Sequence, residues 1–118
     1  MGPKTPAELT ERVRFDRRTD ADDGYGNTKG AWATFIESRR AKLHPTRGGE
    51  QVIAARLQGV SAWDCWVRFD PQTRRLTTDD RVVDARDETK TFAIRFVGDL
   101  AGDKTWLFLQ LEAGVADG

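Results

Sequence analysis

One cysteine and one histidine stand in a chain of 118 residues. With Cys65 alone, no intrachain disulfide and no Cys-x-x-Cys site can form. With His44 as the single imidazole, the Cys/His sets that hold structural zinc are excluded within one chain. No apolar run approaches the ~20 residues that a membrane span needs. The first residues lack the apolar centre of a signal peptide. These shortages exclude a membrane partner and point to the cytoplasm, or to a particle assembled there. Large apolar side chains are scarce too. Leu, Ile, Val and Phe make up about a fifth of the chain, close to the level at which disorder becomes the default. Four Trp and a formal net charge of zero point back to a folded domain. The expectation is one domain over 1–118, with a leader at 1–8 and a flexible tail at 114–118. Its core is small and is expected to be completed by neighbouring subunits.

Zero net charge argues against general polyanion binding, but the average hides a pattern. Residues 1–38 sum to −1, residues 39–75 to +5, and residues 76–118 to −4. The pattern fits two solvated faces. It also fits complementary faces that meet between subunits, or a basic segment facing a polyanion.

Thr5-Pro6-Ala7-Glu8 has the capping-box order and predicts one short helical turn. Val13 and Phe15 then alternate with Arg12, Arg14 and Asp16, the period of a half-buried strand. Three acids, three glycines and Asn27 between Asp20 and Gly30 mark a hairpin tip. Its acids do not follow the spacing of a calcium loop, and the closing Glu is missing. Trp32 to Leu43 reads as a second strand with a bulge near Thr34, ended by Pro45. Arg47-Gly48-Gly49 reads as a flexible turn without the Lys and Ser/Thr of a phosphate loop. Val52, Ile53, Arg56 and Leu57 have helical spacing, with Gly59 just past the end. An ordered loop is the alternative there. Along Val60 to Asp70, Trp63, Cys65, Val67 and Phe69 share one face, so Cys65 is expected to be a buried, structural thiol. Arg81 to Arg86 is a short strand, followed by a turn at Asp87-Glu88-Thr89. Thr91 to Val97 is a strand with Phe92, Ile94 and Phe96 inward. In Trp106 to Leu111, three Leu oppose Trp106 and Phe108. A strand apolar on both sides is central or covered by a partner.

The fold class that follows is mainly β: a small antiparallel barrel or sandwich of about six strands, with one or two short helical segments. No catalytic constellation stands out. His44 precedes Pro45 with no local nucleophile or orienting carboxylate. The pairs Asp22-Asp23, Asp79-Asp80 and Asp87-Glu88 all fall at turns, where acids are favoured for backbone reasons. An OB-like barrel using Trp63 or Trp66 to stack single-stranded nucleic acid is compatible with the strand count.

The order of pieces resembles the bacteriophage head–tail joining family, also called head–tail adaptor, head-closure or stopper proteins, with relatives in gene transfer agents. The resemblance begins at Glu11-Arg12-Val13-Arg14-Phe15-Asp16-Arg17-Arg18 and continues through Asp23-Gly24-Tyr25-Gly26-Asn27, then Trp32. It takes in the segment from Arg47-Gly48-Gly49-Glu50-Gln51 to Gly59, then Trp66-Val67-Arg68-Phe69. A hairpin from Thr77 to Arg86 leads into Thr91-Phe92-Ala93-Ile94-Arg95, and a last strand with a small acidic end spans Leu107 to Val115. The leader Met1 to Ala7 is longer than in many members, and Trp63-Asp64-Cys65-Trp66 is richer in tryptophan.

The resemblance implies a small β-barrel with a long projecting hairpin, here Arg17 to Trp32. It implies a ring in the virion neck, assembled in the host bacterial cytoplasm, that joins head to tail and helps retain packaged DNA. The partners implied are further copies of the chain, a portal or adaptor protein, a tail terminator or tail tube protein, and packaged double-stranded DNA. A neighbouring neck role, adaptor or tail terminator, stays open, as does the OB-like reading. The candidate channel or DNA-facing loop is Arg47, Gly48, Gly49, Glu50, Gln51 and Arg56. The candidate subunit or neck-partner contacts are Arg17, Arg18, Tyr25, Trp32, Arg39, Arg40, Arg74, Arg75, Asp79 and Asp80. No catalytic residue, metal ligand or cofactor is expected.

Overall fold

Alternating apolar and charged residues dominate the chain, and most of it is strand. A computed structural model describes residues 3–22, 24, 28–48, 50–99, 102 and 104–114. Its strands are β1 (Glu11–Asp22), β2 (Thr28–Pro45), β3 (Ser61–Arg68), β4 (Arg81–Asp84), β5 (Asp87–Gly98) and β6 (Trp106–Ala113). One helix, α1 (Glu50–Leu57), and two single 3-10 turns, Pro6–Glu8 and Thr73–Arg75, complete the described elements. The strands close a barrel in the order β1-β2-β3-β6-β5-β4, with β4 returning to β1. Every pairing is antiparallel. Closure leaves no open sheet edge around the core.

Side chains on the inner positions are buried as the period-2 pattern requires. Val13 and Phe15 of β1, Ile94 of β5, and Leu109 and Leu111 of β6 are fully buried. Cys65 sits among them with no exposed area. Burial, with the nearby Asp64 charge adding to it, pushes its thiol pKa up to about 12. The expected structural thiol is what the fold contains.

β2 carries two irregularities against β1. Val13 lies opposite Arg39, Phe15 opposite Ile36, and Asp16 opposite Thr34, so Phe35 is an extra residue next to the expected bulge position. Such insertions bend a strand and sharpen its twist. Beyond them the β1–β2 hairpin leaves the barrel. β4 pairs with β1 only from Val13 to Asp16, whereas the β1–β2 ladder runs on to Asp22 opposite Thr28. The projecting hairpin is therefore longer in strand than the expected tip at Asp20 to Gly30 allowed. The tip residues 23 and 25–27 lie outside the described residues, as do 115–118 of the expected tail and residues 1–2 of the leader.

Two local expectations change. The turn expected at Asp87-Glu88-Thr89 falls instead at Ala85-Arg86, because Asp84 and Asp87 face each other across the hairpin. The Asp84 carboxylate accepts the Arg86 N–H at 2.8 Å and closes that turn. Asp87 accepts the Thr89 hydroxyl at 2.6 Å as β5 begins. Phe96 is the second correction. It was expected inward with Phe92 and Ile94 but is 44% exposed. A register shift between Ile94 (opposite Leu111) and Phe96 (opposite Gln110) turns it outward.

The N-terminal turn forms with the Glu8 carboxylate accepting the Thr5 N–H at 3.1 Å, as the capping-box order predicts. The Glu50 segment is helical rather than a loop, and Gly59 follows it at a φ of 84°. No helix among the described residues is long and apolar enough to cross a membrane.

Candidate assembly surfaces

The base of the projecting hairpin collects charge from distant parts of the chain. Arg17 donates to both carboxylate oxygens of Asp80, at 2.9 and 3.1 Å, and to the Arg75 carbonyl at 3.0 Å. The Asp80 side chain has no exposed area. It also accepts the Thr77 N–H at 2.9 Å. The hydrogen bonds from Arg17 to Asp80 hold the Arg17 pKa above its ordinary value. Beside this pair, buried Asp16 takes Arg14 at 2.9 Å and Arg81 at 3.0 Å. No buried side-chain nitrogen or oxygen among the described residues lacks a hydrogen-bond partner, which is the condition for such carboxylates to be tolerated inside.

Two aromatic rings sit under these guanidinium groups. The Phe35 ring has Arg17 at 3.7 Å and Arg75 at 5.6 Å from its centroid. The Trp32 ring has Arg18 at 4.8 Å and Arg81 at 4.5 Å. Arginine stacked on a ring loses little hydration and keeps its edge donors for other groups.

An open cleft of about 520 Å³ lies here, lined by Arg17, Arg18, Arg75, Thr77, Asp79 and Asp80. A smaller neighbour of about 190 Å³ adds Trp32 and Arg81. Six of the ten expected contact residues therefore meet at one place. Arg39, Arg40 and Arg74 do not join them. Arg39 donates to Asp70 at 3.1 Å and to Gln72, tying the 69–76 segment to β2. Burial alone would raise the Asp70 pKa. The N–H groups of Thr73 and Gln72, with Arg39, outweigh it and hold the carboxyl below its usual range. Arg40 is exposed and donates to the Leu9 carbonyl at 3.2 Å. Arg74 is exposed on its 3-10 turn. Tyr25 lies outside the described residues.

The candidate loop divides in the structure. Arg47 and Gly48 are exposed in the connection after β2, Gly49 lies outside the described residues, and Glu50 and Gln51 open α1. Arg56 folds back to the Thr46 carbonyl at 3.2 Å, bringing its charge to the stretch that carries Arg47. Ile53 and Leu57 of the same helix are 55% and 85% exposed.

A third surface was only half visible in the sequence. On the outside of β3, β6 and β5, Trp66 and Phe108 pack with ring centroids 4.6 Å apart and planes tilted by 47°, and the Phe96 ring lies 6.2 Å from Phe108. The two-sided pattern of β6 announced Phe108, whereas Phe96 was hidden by the β5 register shift. Trp63 points the other way and meets Phe92 edge-on at 5.7 Å.

Comparison with known proteins decides what kind of molecule carries these surfaces. The family model for phage head completion proteins matches residues 4–114. The chain belongs to the phage head completion protein family. Among solved structures, a chain of the virion of a native gene transfer agent particle has the same fold. That match has a TM-score of 0.59 and 19% identity, covering 90% of this chain and 94% of that one. Protein SF1141 from Shigella flexneri 2a, solved in solution, gives a TM-score of 0.64 at 15% identity, covering 92% and 96%. No curated protein matches. Membership in the head completion family gives the chain a structural role in finishing the phage head. The resemblance carried by the sequence pieces and the family match over residues 4–114 agree.

Proposed function

We propose that this head completion protein forms a ring of identical subunits at the neck of a virion, between the portal or adaptor and the tail, and that the ring helps retain packaged DNA. The family match over residues 4–114 carries the reading. The shared fold with a chain of a gene transfer agent virion supports a place in an assembled particle. The chain's own surfaces fit it. A ring of one repeated subunit needs two different patches per copy. The basic 39–75 segment and the acidic 76–118 segment provide unlike charge. The cleft at the hairpin base, with exposed Arg18 and Asp79, suits a neck partner bearing mixed charge. Arg47 is exposed, and Arg56 folds back beside its connection, which supports these two as the groups that meet DNA phosphate.

The OB-like alternative receives no support from the tryptophans named for it. Trp66 is only 9% exposed and packed against Phe108, and Trp63 packs on the core.

The test is a particle preparation from cells lacking this chain, with and without the chain supplied in trans. Expected without it are filled heads that carry no tail and lose DNA after release. Tailed, DNA-retaining particles made in its absence would overturn the proposal.

A further inference from the structure

The chain carries two apolar surfaces without a partner inside the molecule, and they are complementary in kind. One is a helix face. Ile53 and Leu57, four positions apart and so on one side of α1, are 55% and 85% exposed. The other is a sheet face. Phe96 is exposed and Phe108 half-buried on the outside of β5 and β6, and the buried Trp66 of β3 supports them by packing against Phe108. Ile53, Leu57 and Phe96 are the large hydrophobic side chains that stand exposed among the described residues.

A helix with an apolar face and a sheet with an apolar face normally pack on each other as two layers of one domain. Here they cannot do so within one subunit. α1 rests against β3 and leads into it at Ser61. Trp66 stands five residues further on, about 17 Å away at the ~3.3 Å rise of a strand. The exposure of Leu57 and Phe96 shows that each is left uncovered by its own chain. The sheet face is also shaped to receive something. The Phe96 ring lies over Gly98, close enough that a methyl group there would sit 2.7 Å from it, and Gly98 faces Phe108 across the ladder. Only a residue without a side chain leaves room for the ring at that position. Charge agrees as well. Glu50 is exposed at the start of α1, and Arg68 is exposed beside the sheet face, its guanidinium 5.6 Å from the Trp106 ring.

We propose that α1 of one copy docks, through Ile53 and Leu57, on the Phe96–Phe108 face of the next copy, which Trp66 supports from beneath. This rests on the ring reading above and supplies its contact. The two patches differ, so the contact is head-to-tail and repeats from subunit to subunit. It also assigns the charge that flanks α1, Arg47 before it and Arg56 in its last turn, to the same side of the joint in every copy.

The experiment is engineered cross-linking in particles assembled with the full chain. Cys65 is buried, so introduced thiols are the reactive ones. Leu57→Cys and Phe96→Cys are made singly and together, and particles are oxidised mildly. If Phe96→Cys does not fold, Arg68→Cys replaces it. The expected result is a ladder of covalent multimers from the double variant, at least tenfold above either single variant. The copy number per particle is measured in parallel by quantitative mass spectrometry. Several copies per particle with no ladder overturns this contact and leaves the ring standing. A single copy per particle with no ladder overturns both.

Discussion

Arg17 and Asp80 lie 63 positions apart and are joined by two side-chain hydrogen bonds, Nε to Oδ1 at 2.9 Å and Nη2 to Oδ2 at 3.1 Å. The pair fastens the root of the projecting hairpin to the segment that enters β4. Its two halves are unequal. The Asp80 side chain is fully covered, whereas Arg17 keeps 38% of its side-chain surface in water.

That asymmetry sets the first prediction. Arg17→Ala leaves a covered carboxylate with the Thr77 N–H as its remaining side-chain partner. Removing one member of a fully buried pair costs about 3–5 kcal/mol. The exposed half of Arg17 lowers this to about 2 kcal/mol. Urea unfolding should show a lower midpoint at unchanged slope. A loss below about 0.5 kcal/mol would mean that the pair acts as an ordinary surface bridge.

Gly59 and Gly114 give the second. Both have positive φ, 84° and 88°, where a side chain is strained. Space separates them. A methyl group on Gly59 meets nothing within 4 Å, whereas one on Gly114 would sit 2.0 Å from the Gly59 carbonyl oxygen. Gly59→Ala should cost about 1 kcal/mol, the backbone penalty alone. Gly114→Ala should cost clearly more, because the end of β6 must move off the turn after α1. Equal losses by urea unfolding would show that the close approach is relieved freely.

The barrel was legible because its inner positions follow simple alternation. Val13 with Phe15, Cys65 with Val67, and Leu107 with Leu109 and Leu111 each announce a strand and its face. Phe96 was not legible. Its orientation depends on a one-residue shift between β5 and β6, and a shift of one residue exchanges faces. The helix at Glu50 to Leu57 could be read from spacing, but the face it would leave bare could not. That depends on where β3 begins. The cleft at the hairpin base was partly legible. Its residues were marked one by one, yet only the closed ladder brings Arg17 to Asp80. Asp16 and Asp70 were passed over because an acid between arginines, or before a proline, looks like surface.

Arg39 supplies the third prediction. It is one of the donors that hold the Asp70 carboxyl low, after the Thr73 and Gln72 N–H groups. A carboxylate lowered in the folded state adds stability above its unfolded value of 3.8, and that stability fades as pH falls through the folded value. Arg39→Ala should raise the Asp70 midpoint only part of the way towards 3.8, since the backbone donors remain. Carboxyl NMR titration reads this directly. A midpoint unmoved by Arg39→Ala would assign the whole shift to the turn.

Cys65 supplies the last. Burial raises its pKa from 9.0 to about 12. The folded chain therefore holds the thiol proton more tightly than the unfolded chain, and folding stability must fall wherever the unfolded thiol ionises first. The sign follows from proton linkage: above about pH 9 the unfolded state has lost the proton and the folded state has not. The slope approaches about 1.4 kcal/mol per pH unit and levels off as the folded thiol itself ionises near 12. The measurement is the difference between the natural chain and Cys65→Ala, each unfolded in urea from pH 8 to 11, so that contributions common to both cancel. Cys65→Ala should start less stable by about 1–2 kcal/mol for the lost packing and then close the gap as pH rises. Parallel curves would show that the thiol reaches water in the folded barrel, and the same protein would then react with a thiol reagent at pH 8 without denaturant.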